Sequence, residues 1–137
     1  MSDPVDIARL RLLPLFGDLD QHDLMRLAMI TREITIPSGG VLIAEGDLPY
    51  EVLVIEEGEV DVVRDGERLA SLGPGDVVGE MGLLEQQRRM ATVTARTDVR
   101  AVAISADDLN VLAREMPEVV GDIRTTAADR ERRNRLR

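Results

Sequence analysis

The spacing of hydrophobic positions changes twice along the chain. Up to residue 30 it is helical: Ile7, Leu10 and Leu13 fall on one face, and Leu24, Leu27 and Ala28 on another, which predicts helices over residues 4–13 and 20–30. Asp3 ahead of Pro4 reads as the start of the first, an N-cap acceptor with proline at the first helical position. Leu15-Phe16-Gly17 reads as a turn whose phenylalanine, the sole one in the chain, packs down as an anchor. From Thr31 the spacing becomes strand-like. Segments 32–36, 41–44, 51–57, 59–64, 68–72, 91–96 and 99–104 are short, rich in Val, Ile, Leu or Ala, and mostly separated by glycine turns. Helical spacing then returns. Ser105-Ala106-Asp107-Asp108 resembles a capping box ahead of a helix reaching residue 115, with Leu109, Leu112, Ala113 and Met116 on its buried face. Pro117 ends that helix and opens another, whose apolar stripe of Val119, Val120, Ile123 and Ala127 stops there. Beyond it only i,i+4 pairs such as Asp129 with Arg133 and Glu131 with Arg135 support helicity, each worth roughly 0.2 to 0.5 kcal/mol. The last ten residues are therefore expected to fray.

Two details sharpen the β region. Asp65-Gly66 between two apolar runs is a two-residue hairpin signal, because a type I′ turn needs positive φ at both central positions. Val52-Leu53-Val54-Ile55 is apolar on both sides of the pleat, as in a strand buried from both faces. Ala91, Val93 and Ala95 alternate with Thr92, Thr94 and Arg96, so one face of that strand points inward. The alanines there either leave room for a ligand or pack closely against a helix. Many short strands at this spacing, with helices before and after, give a mainly β fold of sandwich or jelly-roll type.

Length and composition narrow the class. A chain of 137 residues is of single-domain size, and 44% hydrophobic with 31% charged residues places it among soluble globular proteins. No apolar run is long enough to span a bilayer, and Asp3 and Asp6 stand where a signal peptide needs basic residues, so a cytoplasmic protein with no membrane partner is expected. Cysteine is absent, which removes disulfides, thiolate metal sites and cysteine nucleophiles. His22 is the single histidine and sits among Asp20, Gln21 and Asp23, where an exposed polar residue is expected rather than a metal ligand or a catalytic base. Without a Gly-x-Ser-x-Gly elbow, enzymatic activity has little to stand on, and neither metal nor cofactor is expected. The net charge of -9 argues against a surface that coats nucleic acid.

Chemistry concentrates in residues 78–93, Val-Gly-Glu-Met-Gly-Leu-Leu-Glu-Gln-Gln-Arg-Arg-Met-Ala-Thr-Val. A glycine-flanked Glu80 opens what reads as one helical turn, whose free N–H groups suit a phosphate. An arginine ahead of the next strand adds charge-assisted hydrogen bonds. A glutamate beside a phosphate repels it unless the ligand also brings hydroxyl donors. Gly79, Glu80, Met81, Gly82, Leu83, Arg88, Arg89, Met90 and Ala91 are the candidate ligand-contacting residues.

The order of parts resembles the cyclic nucleotide-binding domain family, a β-roll with N-terminal helices and two C-terminal helices, over nearly the whole chain from Leu15. Two motifs carry the likeness: Leu42-Ile43-Ala44-Glu45-Gly46-Asp47 followed by residues 52–55 and Gly58, and the phosphate-binding cassette of Gly79, Glu80, Gly82, Leu83, Arg89, Ala91, Val93 and Ala95. Pro49 departs from the small residue more usual in the first. The resemblance implies that Glu80 accepts from the ribose 2′-hydroxyl, that Arg89 pairs with the cyclic phosphate, and that the N–H groups of Gly82 and Leu83 cap it. Arg88 becomes the phosphate ligand if the loop is one residue different in length, although Arg89 puts Ala91 and Val93 in register. Met90 replaces the Ala, Ser or Thr usual after the arginine, which removes hydroxyl-assisted recognition of cGMP and favours cAMP. No aromatic residue follows Tyr50, so Ile123 or Arg124 is the candidate lid over the base.

The implied function is a sensor that passes cyclic nucleotide binding to its C-terminal helices. The alternative is the same fold with a degenerate pocket, acting as a protein-interaction or dimerisation module, supported by Met90 and the missing aromatic lid. Relatives that read DNA carry a helix-turn-helix after this region, and no room for one precedes Arg137, so direct DNA binding is not expected. A protein effector, or a second copy meeting the C-terminal helix, is the expected macromolecular partner.

Overall fold

The computed structural model of the protein describes residues 6–79 and 88–135. Two four-stranded antiparallel sheets face one another, with helices packed on the outer side of the first. In chain order the elements are α1 (Ile7–Leu12), a 3-10 turn (Pro14–Phe16), α2 (Gln21–Ile30), β1 (Arg32–Ile36), β2 (Val41–Ile43), β3 (Glu51–Glu57), β4 (Val60–Arg64), β5 (Glu67–Leu72), β6 (Val77–Val78), β7 (Thr92–Ala95), β8 (Val99–Ser105), α3 (Ala106–Glu115) and α4 (Pro117–Arg135). The first sheet runs β1-β8-β3-β6 and the second β2-β7-β4-β5. Apart from the β4–β5 hairpin, sequence neighbours lie in opposite sheets, the mark of a β-roll rather than a meander. The mainly β architecture with helices at both ends is as the sequence predicts.

β3 explains how one strand serves two cores. Val52 and Val54 face the helices and join Leu10, Phe16, Leu24, Leu112 and Ile123, while Leu53 and Ile55 face the second sheet and join Val60, Val93 and Ala101. The two-sided apolar run is therefore a central strand between an outer helix layer and the interior of the roll. Ala95, Ala101 and Ala103 are buried in that interior, packed between sheets and not against a helix. Asp65 and Gly66 both take positive φ, 53° and 79°, at the β4–β5 turn, as the hairpin signal requires.

The element bounds are refined at three places. The first helix is capped by Asp6, whose carboxylate accepts from the Ala8 N–H at 2.9 Å, so it starts at Ile7; Asp3 and Pro4 lie outside the described residues. β6, two residues long, gives too little alternation to be predicted; it pairs with Leu53 and Val54 at the sheet edge. α4 is helical as far as Arg135. Arginine and glutamate are good helix formers, and the i,i+4 charge spacing adds to them. Ser105 caps α3 as predicted, accepting from the Asp108 N–H at 3.2 Å. His22 is exposed. Among the described residues no helix is long and apolar enough to cross a membrane.

Candidate functional site

The two sequence motifs meet at Arg89. After β2 the chain turns through Ala44-Glu45-Gly46-Asp47, closed by the Asp47 N–H donating to the Ala44 carbonyl at 3.2 Å, with Gly46 at φ +88°. Gly46 then donates its N–H to the Arg89 carbonyl, and Arg89 donates its own N–H to the Asp47 carbonyl, both at 2.8 Å. The Thr92 hydroxyl takes the Glu45 N–H at 3.1 Å. The Gly-Asp turn therefore clamps the arginine backbone from both sides, and the register is fixed before the side chain is considered.

The Arg89 side chain runs inward. At 8% exposed it is a buried cation, donating Nη1–H to the Gly79 carbonyl and Nη2–H to the Glu51 carbonyl, each at 2.6 Å. Among the described residues no carboxylate forms an ion pair with it. Loss of hydration pulls its pKa below the ordinary arginine value, a push opposed by the negative charge of Glu51 and by Tyr50. Glu51 instead pairs with Arg32, at 2.5 Å. A guanidinium held by neutral carbonyls in a partly dry site keeps most of its positive field, and an incoming anion gains from it.

Around Arg89 lies an open cleft. Leu42, Ile43, Ala44, Leu48 and Leu53 make its apolar wall, and Asp47, Tyr50, Glu51 and Arg89 its polar one. Tyr50 is exposed at the rim. Gly79 is required where it stands: its φ is +87°, and a Cβ there would lie 2.7 Å from Arg89 Nη1 and 3.1 Å from Cζ. Gly79→Ala is expected to displace the guanidinium and to cost about 1 to 3 kcal/mol through backbone strain. Urea unfolding checks the cost, and stability within a few tenths of wild type would show that the turn relaxes freely.

The predicted residues separate into three groups. Gly79 and Arg89 are in direct contact. Arg88 points elsewhere, exposed, donating to the Gly46 carbonyl at 2.9 Å, so Arg89 and not Arg88 faces the cleft. Met90 is 64% exposed and is not among the residues lining the cleft, while Ala91 is half-buried ahead of β7. Glu80, Met81, Gly82 and Leu83 lie outside the described residues. The candidate lid residues are not placed over the cleft: Ile123 is buried in the helix-side core with Leu10, Phe16 and Leu112, and Arg124 is exposed. The apolar stripe of α4 explains why, since Ile123 belongs to the face that the helix buries. Sequence reasoning missed Glu51 as a site residue, because it contributes its main-chain carbonyl and any residue type supplies one.

Residues 33–116 match the cyclic nucleotide-binding domain family. A cyclic nucleotide-gated potassium channel of Rhizobium etli is 33% identical over 118 residues, covering 86% of this chain and 33% of the channel. Among solved structures, the catabolite activator protein of Thermus thermophilus superposes with a TM-score of 0.75 at 30% identity, covering 90% of this chain and 60% of that one. The regulatory subunit of a cAMP-independent protein kinase A from Trypanosoma brucei gives a TM-score of 0.75 at 25% identity, covering 88% and 43%. The chain spans about a third or less of the length of the curated relatives it matches. With the family match covering more than half of the sequence and the two motifs closed around one buried arginine, the chain belongs to the cyclic nucleotide-binding domain family.

Proposed function

We propose that the protein binds a cyclic nucleotide, cAMP in preference to cGMP, and passes the binding to its C-terminal helices. The observation that carries this reading is Arg89, a buried cation whose two side-chain hydrogen bonds go to neutral carbonyls at the wall of an open cleft. Among the described residues no carboxylate pairs with this guanidinium, and a cyclic phosphate would bring it a negative charge. Glu80, three positions into the same segment as Val78, is the proposed acceptor for the ribose 2′-hydroxyl, with the Gly82 and Leu83 N–H groups on the phosphate. Met90 offers no hydroxyl to a guanine, which underlies the proposed preference for cAMP, and its exposed side chain, not among the described residues lining the cleft, supports a site open to ligand. A named relative, the potassium channel of Rhizobium etli, is described as cyclic nucleotide-gated, in keeping with a regulatory role.

The packing of α4 supports the proposed transmission. The Val119, Val120 and Ile123 face shares one core with α1, the 3-10 turn and β3, whose first residue, Glu51, gives its carbonyl to Arg89. A ligand that moves Arg89 perturbs the end of the strand on which those helices pack. For this to be allostery, the ligand must bind one helix arrangement more tightly than another.

Titration calorimetry with cAMP and cGMP tests the reading. Micromolar affinity for cAMP, about -8 kcal/mol, with weaker binding of cGMP is expected. No heat with either nucleotide at millimolar concentration would favour the rival, in which Arg89 only ties Glu51 to Gly79 and the fold serves as an interaction module. That rival has an observation of its own, since both carbonyl contacts are complete without a ligand.

A further inference from the structure

Away from the cleft, five charged side chains meet where α1 rests on the first sheet. Glu33 on β1 is 7% exposed and accepts from Arg9 of α1, at 2.9 and 3.3 Å. Arg100 on β8 reaches the same carboxylate at 3.3 Å and Glu57 of β3 at 3.2 Å. Glu33 faces Val102 across the β1–β8 ladder, and Arg100 is two residues from Val102, so both stand on the helix side of the sheet. The fifth member is Glu56. The β3–β8 register slips there: Ile55 pairs with Ala101, but Glu57 pairs with Arg100, which leaves Glu56 as the extra residue of a bulge. Glu56 lies two residues beyond Val54, which faces the helices, and its carboxyl meets that of Glu33.

Three acids and two arginines leave this cluster one negative charge in excess, and the hydrogen bonds show where the excess falls. Among the described residues Glu56 Oε1 is buried without a hydrogen-bond partner, and so is Arg100 Nε, which meets Glu33 only as an ion pair. Two ionised carboxylates in contact repel, whereas a single proton between them turns the repulsion into a hydrogen bond and gives the orphaned oxygen a role. Burial, then the charge of Glu33, raises the Glu56 pKa from 4.5 to about 7; Arg9 acts in the opposite sense and Glu57 adds to the rise. We propose that Glu33, Glu56, Glu57, Arg9 and Arg100 form a proton-operated latch that fastens α1 to the sheet, closed while Glu56 is protonated and donates to Glu33 and slackened when that proton is lost. The protonated cluster is electrically balanced. The deprotonated one sets Glu56 against the same Glu33 that anchors Arg9.

The sign follows from linkage. The closed latch keeps its proton up to about pH 7, whereas a Glu56 released to solvent gives it up near 4.5, so closure is favoured at low pH and weakens as pH rises between these values. Because α1 places Leu10 in the core shared with Ile123 of α4, slackening reaches the C-terminal helices as well.

Hydrogen exchange of the α1 amides, corrected for intrinsic rates, tests the latch on the intact protein. Opening is expected to become roughly three- to tenfold more frequent from pH 6 to pH 8, the upper figure being the unscreened limit. Glu56→Gln supplies a neutral donor in place of the protonated carboxyl, and should hold α1 protected at both pH values. Arg9→Met should leave α1 open at both. Wild-type protection that stays flat across this range overturns the proposal without any variant, and so does a Glu56→Gln protein that keeps the wild-type pH dependence. Carboxyl carbon shifts in the wild-type protein give a second readout: a Glu56 titration below pH 5 sinks the protonated latch outright.

Discussion

Arg89→Ala is expected to weaken cAMP binding by roughly 2 to 4 kcal/mol, about thirtyfold to a thousandfold, as found when one member of a buried charge pair is truncated. Three features of the site set that size. Arg89 as a residue is 8% exposed, so water competes poorly for its place on the phosphate. No carboxylate pairs with it among the described residues, which leaves the anion without a described competitor. Its backbone is clamped by Gly46 and Asp47, which lowers the entropy lost on binding. The substitution also strips the Glu51 and Gly79 carbonyls of their donor, at about 1 to 3 kcal/mol if they remain buried and unpaired. Calorimetry and denaturation on the same protein separate the two effects. Arg89→Lys restores charge without the two-pronged fork and should fall between wild type and Arg89→Ala in affinity. Affinity unchanged in Arg89→Ala, with stability reduced, would show that the arginine is only a tie between β3 and Gly79. The reverse pattern would show that the carbonyls find other donors and that the charge serves the ligand.

How much of this was legible in the sequence depended on whether a feature was local. The Asp65-Gly66 turn, the Ser105 cap and the division of residues 52–55 between two faces follow from residue type and spacing, and the structure carries each of them. The choice between Arg88 and Arg89 was legible only through the register of Ala91 and Val93, and the backbone clamp on Gly46 and Asp47 agrees with it. Features made by distant main chain were invisible. Nothing in residues 51 or 79 announces that their carbonyls will hold a guanidinium, and a bulge at Glu56 leaves no mark in a run that reads as regular strand. Ile123 shows the limit most directly. Its place in the chain suggested a lid, but its place on the apolar face of α4 was the stronger signal, because burying that stripe is what docks the helix.

Phe16→Ala should be the most destabilising truncation on the helix side of the molecule, costing about 3 to 5 kcal/mol. The side chain is fully buried, rigidly presented by the 3-10 turn that Pro14 opens, and the turn packs against α4. Its ring therefore joins N-terminal to C-terminal helices, in one cluster with Leu10, Leu24, Leu27, Leu112 and Ile123. Domains of this size are stable by only about 5 to 15 kcal/mol, so the loss is a large fraction of the total. Urea unfolding should show a lower midpoint with an unchanged slope. Arg124→Ala, one residue beyond Ile123 on the exposed side of α4, should stay within about 0.5 kcal/mol of wild type. A loss below about 1 kcal/mol for Phe16→Ala would mean that α4 settles into the vacated space. The C-terminal helix would then have a second packed position within easy reach, which is what a ligand at Arg89 needs if it is to move that helix.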